Sequence, residues 1–259
     1  MLDSLYIGAS GMQAQQFNID AVANNLANVN TAGYKRSRID FEDLLYRTVA
    51  TGRATTDQPV GSGRLGMGAA IAGTGKIFTV GDTKKTDGPM DLVINGQGFF
   101  EVVMPDGSMG YTRNGAMRLD RDGNIVSQNG YALASAIQVP ADSTQVRIDT
   151  DGRVYSTVAG EKNPVEIGQI QLANFTNPAG LSPVGDNLYQ ATDSSGDSVV
   201  SNPGENGTGT VAQGFLEGSN VRLIDEMVSL ILAQRAYEIN AKVVQASDEM
   251  LSISNNLYR

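Results

Sequence analysis

The chain has 259 residues, 41% of them hydrophobic, and a formal net charge of −9 at pH 7. The acidic balance argues against nucleic-acid binding, because neutralising phosphate groups requires a basic surface. Cysteine and histidine are both absent, which excludes disulfides, thiolate nucleophiles and thiolate or imidazole metal ligands. Catalysis by carboxylates or lysines stays open, although the commonest general base is missing.

No apolar run approaches the ~18 residues that a transmembrane helix needs, so the sequence predicts no direct membrane insertion. No lysine or arginine occurs before Lys35, whereas a secretory signal peptide opens with a basic segment. We therefore expect a chain that either stays in the cytoplasm or is exported without cleavage.

The first segment has the periodicity of a helix. Apolar residues recur every seven positions in this N-terminal stretch, at Leu5, Met12, Ile19 and Leu26. A sustained seven-residue spacing presents one stripe of a helix to a partner helix. An ordinary amphipathic helix that lies on its own domain shows a similar stripe, and both interpretations stay open for this segment alone.

The end of this helical stretch is rich in asparagine, at Asn24, Asn25, Asn28 and Asn30. Asparagine accepts left-handed backbone geometry at a helix terminus, which accounts for one or two of them. Amide side chains also satisfy several backbone groups at once. We therefore predict that the chain turns sharply here at a packed junction.

The middle of the chain predicts short antiparallel strands. Candidate strands rich in β-branched and aromatic residues lie at 91–95, 99–104, 145–148 and 153–157. The alternation slips at Gly168–Gln169, where we expect a β-bulge. Two polar, turn-rich stretches, 50–75 and 193–210, are either mobile loops or contact arms that a neighbour orders, and their sequences favour loops.

Two segments of similar pattern, 119–126 and 148–155, place Asp-Gly between apolar residues. Asp-Gly favours a two-residue hairpin, because both central positions need a positive φ. The carboxylate pairs Asp120/Asp122 and Asp149/Asp151 also suggest a calcium loop. A calcium loop needs a further oxygen ligand and a later bidentate Glu at fixed spacing, so the turn interpretation is preferred.

The last segment repeats the helical signal. Apolar residues again stand seven apart, at Leu223, Leu230, Tyr237, Val244, Leu251 and Tyr258. Ser219 or Asn220 is a candidate N-cap, and Asp225 suits the positive helix terminus. Met227 and further apolar residues between Leu223 and Leu230 place apolar side chains on nearly every side of the first turns. A helix of this kind needs more than one neighbour.

These observations predict an α+β fold. N- and C-terminal heptad helices, 1–34 and 219–259, form a coiled-coil-like assembly domain. An extended linker or contact arm, 35–72, leads to a central antiparallel β-rich domain, 73–218. We expect no catalytic, cofactor-binding or metal-binding residue. The residues expected to mediate assembly lie on the helical segments and at the asparagine-rich turn: Leu5, Met12, Ile19, Asn24, Asn25, Leu26, Asn28, Leu223, Met227, Leu230, Tyr237, Val244 and Leu251.

Several motifs occur in the order found in one family. They read ANNLANVNTAGYK at 23–35, FEDLLY at 41–46, NGQGFFEV at 95–102, YTRNG at 111–115, LEGSNV at 216–221 and AQRAYEIN at 233–240. Together they cover nearly the whole chain, and the sequence resembles the flagellar rod, hook and hook-associated axial proteins. The length lacks room for the large outer domain of hook subunits, and residues 41–46 and 236–240 favour the distal-rod members.

The resemblance implies export through the flagellar type III channel without cleavage, and assembly in the periplasm. Copies of the chain would form a hollow helical homopolymer, with the terminal helices inside and the β domain outside. Its partners would be proximal-rod subunits, hook subunits and the outer ring bushing proteins. The product would be torque transmission, with no cofactor and no reaction.

Three other interpretations stay open. The first is that the chain is another axial subunit, of either the proximal rod or a short hook type. A secreted β-rich enzyme that uses carboxylates is the second, and the missing histidine counts against it. A soluble binding module with helical dimerisation ends is the third, and it would stop at a small oligomer.

Overall fold

The computed structural model describes residues 2–51, 61–158 and 163–257. The chain divides into two units. The helical unit comprises Met1–Ala27, Ser37–Gly75 and Arg222–Arg259, and the β unit comprises Asn28–Arg36 and Lys76–Val221. Thus the nine residues 28–36, which the sequence analysis assigned to the helical domain and the start of the linker, lie in the β unit.

The helical unit is built on two long helices, α1 (Leu2–Ala27) and α2 (Leu223–Leu257). A Cβ atom added to Gly8 would meet Val244, one added to Gly11 would meet Asn240, and Asn25 binds Glu226. Residue numbers rise along α1 as they fall along α2, so the helices pair antiparallel within one chain.

Four strands complete the helical unit: β1 (Ser37–Asp43), β2 (Tyr46–Thr51), β3 (Gly61–Gly66) and β4 (Ala69–Lys76). Strand β1 pairs with β4, and β2 pairs antiparallel with β3. The loop predicted for 50–75 is therefore wrong over β3 and β4. Their Gly- and Thr-rich sequences have weak strand propensity, and the partner strands supply the pairing that local sequence cannot.

The first half of the β unit contains nine short strands. They are β5 (Thr83–Lys85), β6 (Leu92–Asn95), β7 (Phe99–Val103), β8 (Met109–Thr112), β9 (Met117–Leu119), β10 (Ile125–Ser127), β11 (Ala132–Leu133), β12 (Ser143–Ile148) and β13 (Arg153–Val158). Strands β6, β7, β12 and β13 confirm the four strands that the sequence predicts.

The second half contains seven more strands and one short 3-10 helix at Pro178–Gly180. The strands are β14 (Val165–Gln169), β15 (Leu172–Asn174), β16 (Ser182–Gly185), β17 (Leu188–Gln190), β18 (Val199–Ser201), β19 (Thr210–Gln213) and β20 (Phe215–Glu217). Strand β18 lies inside the stretch 193–210, where the sequence favoured a loop.

One nine-stranded sheet organises the β unit in the order β16-β17-β8-β7-β11-β10-β9, with β15 joining β7 to β18. A three-stranded sheet β12-β13-β14 and the pairs β6–β19 and β5–β20 complete it. Every strand pairing that the structure describes here is antiparallel. The predicted α+β fold with a central antiparallel β-rich region is confirmed.

Four hairpin turns share one geometry, over Met104–Ser108, Asp120–Asn124, Ser127–Tyr131 and Asp149–Arg153. In each, the first amide donates to the fifth carbonyl, and the amide of the fourth residue, a glycine, donates to the first carbonyl. Each of these glycines has a φ between +81° and +88°. Hairpins at the two Asp-Gly segments are confirmed, but the two-residue turn is wrong. Only the glycine is left-handed, so an extra residue is accommodated at each turn.

The bulge lies one residue before the predicted position, Gly168–Gln169. Val154 pairs with Gly168 and Tyr155 pairs with Glu166, so Ile167 is the extra residue. Its side chain packs on the main core, whose almost completely buried members are Leu92, Ile94, Phe100, Val102, Ile125, Val154, Ile170, Leu172 and Val211.

A second core cluster is aromatic. Phe78, Phe99, Tyr111, Phe175 and Tyr189 meet edge to face, with ring centroids 4.7–6.4 Å apart. Burial raises the pKa of Tyr189 far above its ordinary value, and the nearby Tyr34 adds to the shift. These contacts join strands β7, β8 and β17, and such ring pairs stabilise a fold beyond their buried area.

Candidate assembly site

The contact between α1 and α2 is made largely by small and polar residues. On α2 the most buried side chains are Glu226, Ala233 and Ser247, with Asn240 half-buried between them. These four positions stand seven apart, three residues after Leu223, Leu230, Tyr237 and Val244. Of the predicted apolar stripe, Leu230, Val244 and Leu251 are half-buried, and the more buried series three residues later contains no large apolar side chain.

Close approach of the helices explains two glycines on α1. A Cβ at Gly8 would lie 2.7 Å from Val244 Cγ2, and one at Gly11 would lie 2.8 Å from Asn240 Nδ2. Glycine weakens an isolated helix by about 1 kcal/mol relative to alanine. Here its lack of a side chain lets the two backbones come together, which the seven-residue pattern did not reveal.

The predicted assembly residues divide by burial. Leu5, Met12, Ile19 and Leu26 on α1 are half-buried, as are Leu230, Val244 and Leu251 on α2. Leu223, Met227 and Tyr237 are exposed. Tyr258, the last member of the C-terminal stripe, lies outside the described residues.

The outer face of α2 carries large apolar side chains that its own chain leaves uncovered. Ile224 is 74% exposed, Leu232 is 64% exposed and Ile231 is 54% exposed. Val228 lies between them and is also exposed. Residues 227–234 contain no charge. Within the single chain, α1 covers one side of this helix. The second neighbour that the sequence predicts therefore stays a prediction.

Asn25 forms a buried junction in the helical unit. Its side-chain oxygen accepts from the Ser37 amide at 2.8 Å, and its Nδ2 donates to the Ser37 carbonyl at 3.0 Å and to Glu226 Oε2 at 3.2 Å. One amide thereby fixes the return of the chain after α1 and the first turn of α2. This confirms the amide role predicted for the turn.

The other asparagines act differently. Asn24 is exposed, and Asn28 is half-buried with its Oδ1 accepting a hydrogen bond from the Thr31 hydroxyl. Among Asn24, Asn25, Asn28 and Asn30, none has a positive φ. The left-handed helix end predicted for these asparagines is therefore wrong, and the backbone becomes left-handed only at Gly33.

A buried ion cluster lies in the β unit. Lys35 Nζ is 2.6 Å from Glu217 Oε1, and Arg113 Nε is 2.8 Å from Glu217 Oε2. The three side chains are exposed by no more than 4%. One carboxylate thus joins two cations that stand far apart in sequence.

Backbone groups complete the cluster. Lys35 also donates to the Thr79 carbonyl, and Glu217 accepts from the Gly81 amide. The Arg113 guanidinium donates to three carbonyls, those of Ile94, Gly96 and Gly98. Burial lowers the pKa of Lys35, and the Glu217 carboxylate opposes that shift. The extra positive charge is accommodated because several oxygens surround it.

This cluster fixes the two segments that lead to the helices. The Gly33 amide donates to the Glu217 carbonyl, and the Asn220 amide donates to the Tyr34 carbonyl. The Asn220 side chain accepts from the Arg36 amide and donates to the Ile77 carbonyl. Residues 33–36 and 217–220 are therefore held side by side within the β unit.

Sequence reasoning missed the cluster. Lys35, Arg113 and Glu217 each lie inside a motif quoted for the resemblance, but no spacing rule joins residues so distant in sequence. The predicted N-caps are also wrong, since α2 begins at Leu223. Ser219 accepts from the Val221 amide, and Asn220 joins two segments of the β unit.

Enlarging Gly8 is expected to separate the helices. We expect Gly8→Leu to cost about 1–3 kcal/mol of helix stability by overpacking, and Val244→Ala to restore part of it. A double-mutant cycle followed by thermal loss of far-UV circular dichroism at one protein concentration measures this coupling. If Gly8→Leu lowered helix stability equally in the parent and in the Val244→Ala protein, the contact between Gly8 and Val244 would be contradicted.

Within the described residues, no cluster of three or more acidic side chains is placed to hold a metal ion. Asp149 pairs with Arg147, and Asp151 pairs with Arg153, at the rims of their turns. Among the described helices, none is both long and apolar enough to cross a membrane.

Three family models match the chain in order. The flagella basal body rod protein model matches residues 5–35, the flagellar hook protein FlgE/F/G D1 domain matches 93–156, and the flagellar basal body rod FlgEFG protein C-terminal model matches 212–257. Each match contains one member of the buried ion cluster: Lys35, Arg113 and Glu217 respectively.

Curated relatives agree along the full length. The chain is 46% identical to the flagellar basal-body rod protein FlgG of Buchnera aphidicola subsp. Schizaphis graminum, over 97% of this chain and 98% of the relative. It is 43% identical to FlgG of Borreliella burgdorferi, over all of both chains. The rod protein FlgF of Caulobacter vibrioides is 32% identical over 96% of this chain and 95% of its own. The chain therefore belongs to the family of flagellar basal-body rod proteins and matches its FlgG members along almost its whole length.

Proposed function

We propose that this chain is a structural subunit of the distal rod. It polymerises into a hollow helical shaft that transmits torque to the hook and catalyses no reaction. The observation that carries the proposal is the uncovered apolar face of α2, in a chain that belongs to the rod family. A contiguous exposed apolar surface on a helix marks an interaction site.

The paired helices suit a load-carrying shaft. When two different faces of identical subunits bind each other, each subunit is rotated relative to the last one. If these rotations do not close a ring, the contact repeats into an open helical filament. The β unit, with its buried ion cluster and aromatic core, would supply a stiff outer layer. Proximal-rod subunits, hook subunits and the outer ring bushing proteins are the proposed neighbours.

The proposed location is the periplasmic part of the basal body, reached by export without cleavage. The distal rod is favoured over the proximal rod because FlgG relatives reach 46% identity, against 32% for FlgF. Cross-linking of the chain within isolated basal bodies would separate the two, since a distal subunit contacts hook subunits. Links to proximal-rod proteins alone would favour the proximal position.

Electron microscopy of the concentrated purified protein tests polymerisation, and tubes are the expected result. Deleting residues 245–259 is expected to abolish them, because it removes Ser247 and Leu251 from the helix contact. The β unit should keep its strand circular dichroism and its thermal midpoint. Tubes formed by the truncated protein would contradict the proposed role of α2.

A further inference from the structure

The helical unit carries a groove that is lined by α1 but by no residue of α2, Gly8 or Gly11. The α1 residues that line it stand at the spacing of one helix face: Tyr6, Ser10, Gln13, Ala14 and Phe17. Strand and loop residues 39, 44, 69–71 and 74 form the opposite wall, and the cavity volume is about 470 Å³. We call it the α1 groove.

The α1 groove is uncharged. Every residue that lines it is apolar, a hydroxyl-bearing side chain or an amide, and Tyr6 and Phe17 are about half exposed. A charged ligand would lose hydration here without gaining a charged partner. The groove therefore favours an apolar occupant.

The outer ridge of α2, defined as Ile224, Val228 and Ile231, has matching properties. The three residues follow the i, i+4, i+7 spacing with which a helix places side chains into a groove. Each is more than half exposed in its own chain. Leu232 and Met227 flank the ridge, and no charge lies between residues 227 and 234.

We propose that the outer ridge of α2 in one copy docks into the α1 groove of a second copy. This rests on the proposed function and names the two faces that polymerise. A cavity of this size holds a few aliphatic side chains. Because ridge and groove lie on different faces of one unit, the contact is heterologous and propagates into a filament. A two-fold contact of ridge with ridge would leave every groove exposed.

The chain contains no cysteine, so single cysteines give an unambiguous test. Ile231→Cys and Gln13→Cys proteins are mixed, assembled and treated with a short bismaleimide. We expect a covalent dimer only in the mixture. Gln16→Cys is the matched control, because Gln16 is also an exposed glutamine on α1 but does not line the groove. It should give a yield at least ~10-fold lower with Ile231→Cys.

Other outcomes would overturn the inference. Ile231→Cys protein that links to itself would show ridge-to-ridge contact. Tubes without the mixed link would show that polymerisation uses other faces, while the proposed function stands. An Ile231→Cys/Gln13→Cys chain that links internally when dilute would place the ridge in its own groove. If the outer ridge of labelled Ile231→Cys protein bound phosphatidylcholine vesicles instead of a second copy, the partner of the ridge would be a lipid surface. Parent protein that never forms tubes would remove the proposed function as well.

Discussion

Replacing Ile231 with aspartate is expected to abolish polymerisation while the β unit stays folded. The substitution removes an apolar side chain whose burial contributes about 1.5–3 kcal/mol, and it adds a charge that would lose its hydration in the contact. The two effects together exceed ~3 kcal/mol. Since each 1.4 kcal/mol changes an association constant about tenfold, the protein concentration needed for assembly should rise at least ~100-fold. Sedimentation of polymer over a concentration series measures that change.

Gln245→Asp is the control for this substitution. It adds the same charge at an exposed position of α2 beyond the apolar ridge, where Lys242, Asp248 and Glu249 already make the surface polar. Its assembly concentration should change less than about threefold. Ile231→Asp protein that polymerises as well as the parent would show that this face of α2 is not buried in the filament. Loss of β-unit structure in Ile231→Asp would point to misfolding instead.

Replacing Glu217 with glutamine is expected to destabilise the β unit strongly. Glutamine has nearly the same shape, but Lys35 and Arg113 would lose their shared negative charge in a site that water does not reach. Removing one partner from a buried ion cluster costs about 3–5 kcal/mol, because an uncompensated charge stays behind. Urea denaturation followed by tyrosine fluorescence measures the free energy of unfolding.

Glu166→Gln gives the matched comparison. Glu166 lies in the β unit and is 4.0 Å from Arg153, with both side chains about half exposed. Exposed ion pairs contribute about 0–1 kcal/mol, so this variant should unfold almost like the parent. Equal free energies for Glu217→Gln and Glu166→Gln would mean that the cluster is open to solvent.

The ion cluster bears on function because of where its residues lie in the chain. Lys35 ends the segment that follows α1, and Glu217 ends the last strand before α2. Holding both segments side by side fixes two points at which the chain leaves the β unit, because residues 37 and 222 already belong to the helical unit. Weakening the cluster should therefore also lower tube yield, and the loss should follow the loss of β-unit stability across variants.

Local sequence determined the types of structure in this protein. The seven-residue apolar repeats and the Gly, Asp and Asn turn signals act over a few residues, so they predicted two end helices and a β-rich middle. The asparagine cluster likewise predicted a junction, which Asn25 forms. Recognition of six motifs in order supplied the family. What the repeats missed is the centre of the helix contact, because Gly8 and Asn240 carry no hydrophobic signal.

Tertiary structure alone decided the rest, since it depends on residues far apart in the chain. Strands β3 and β4 exist because partners pair with them, although their own sequence favours a loop. Glu217 meets Lys35 across 182 residues, and no periodicity encodes that meeting. The packing of α1 against α2 likewise decides which side of α2 stays uncovered. Sequence periodicity shows that a face is apolar, whereas the three-dimensional packing shows which faces the chain itself can bury.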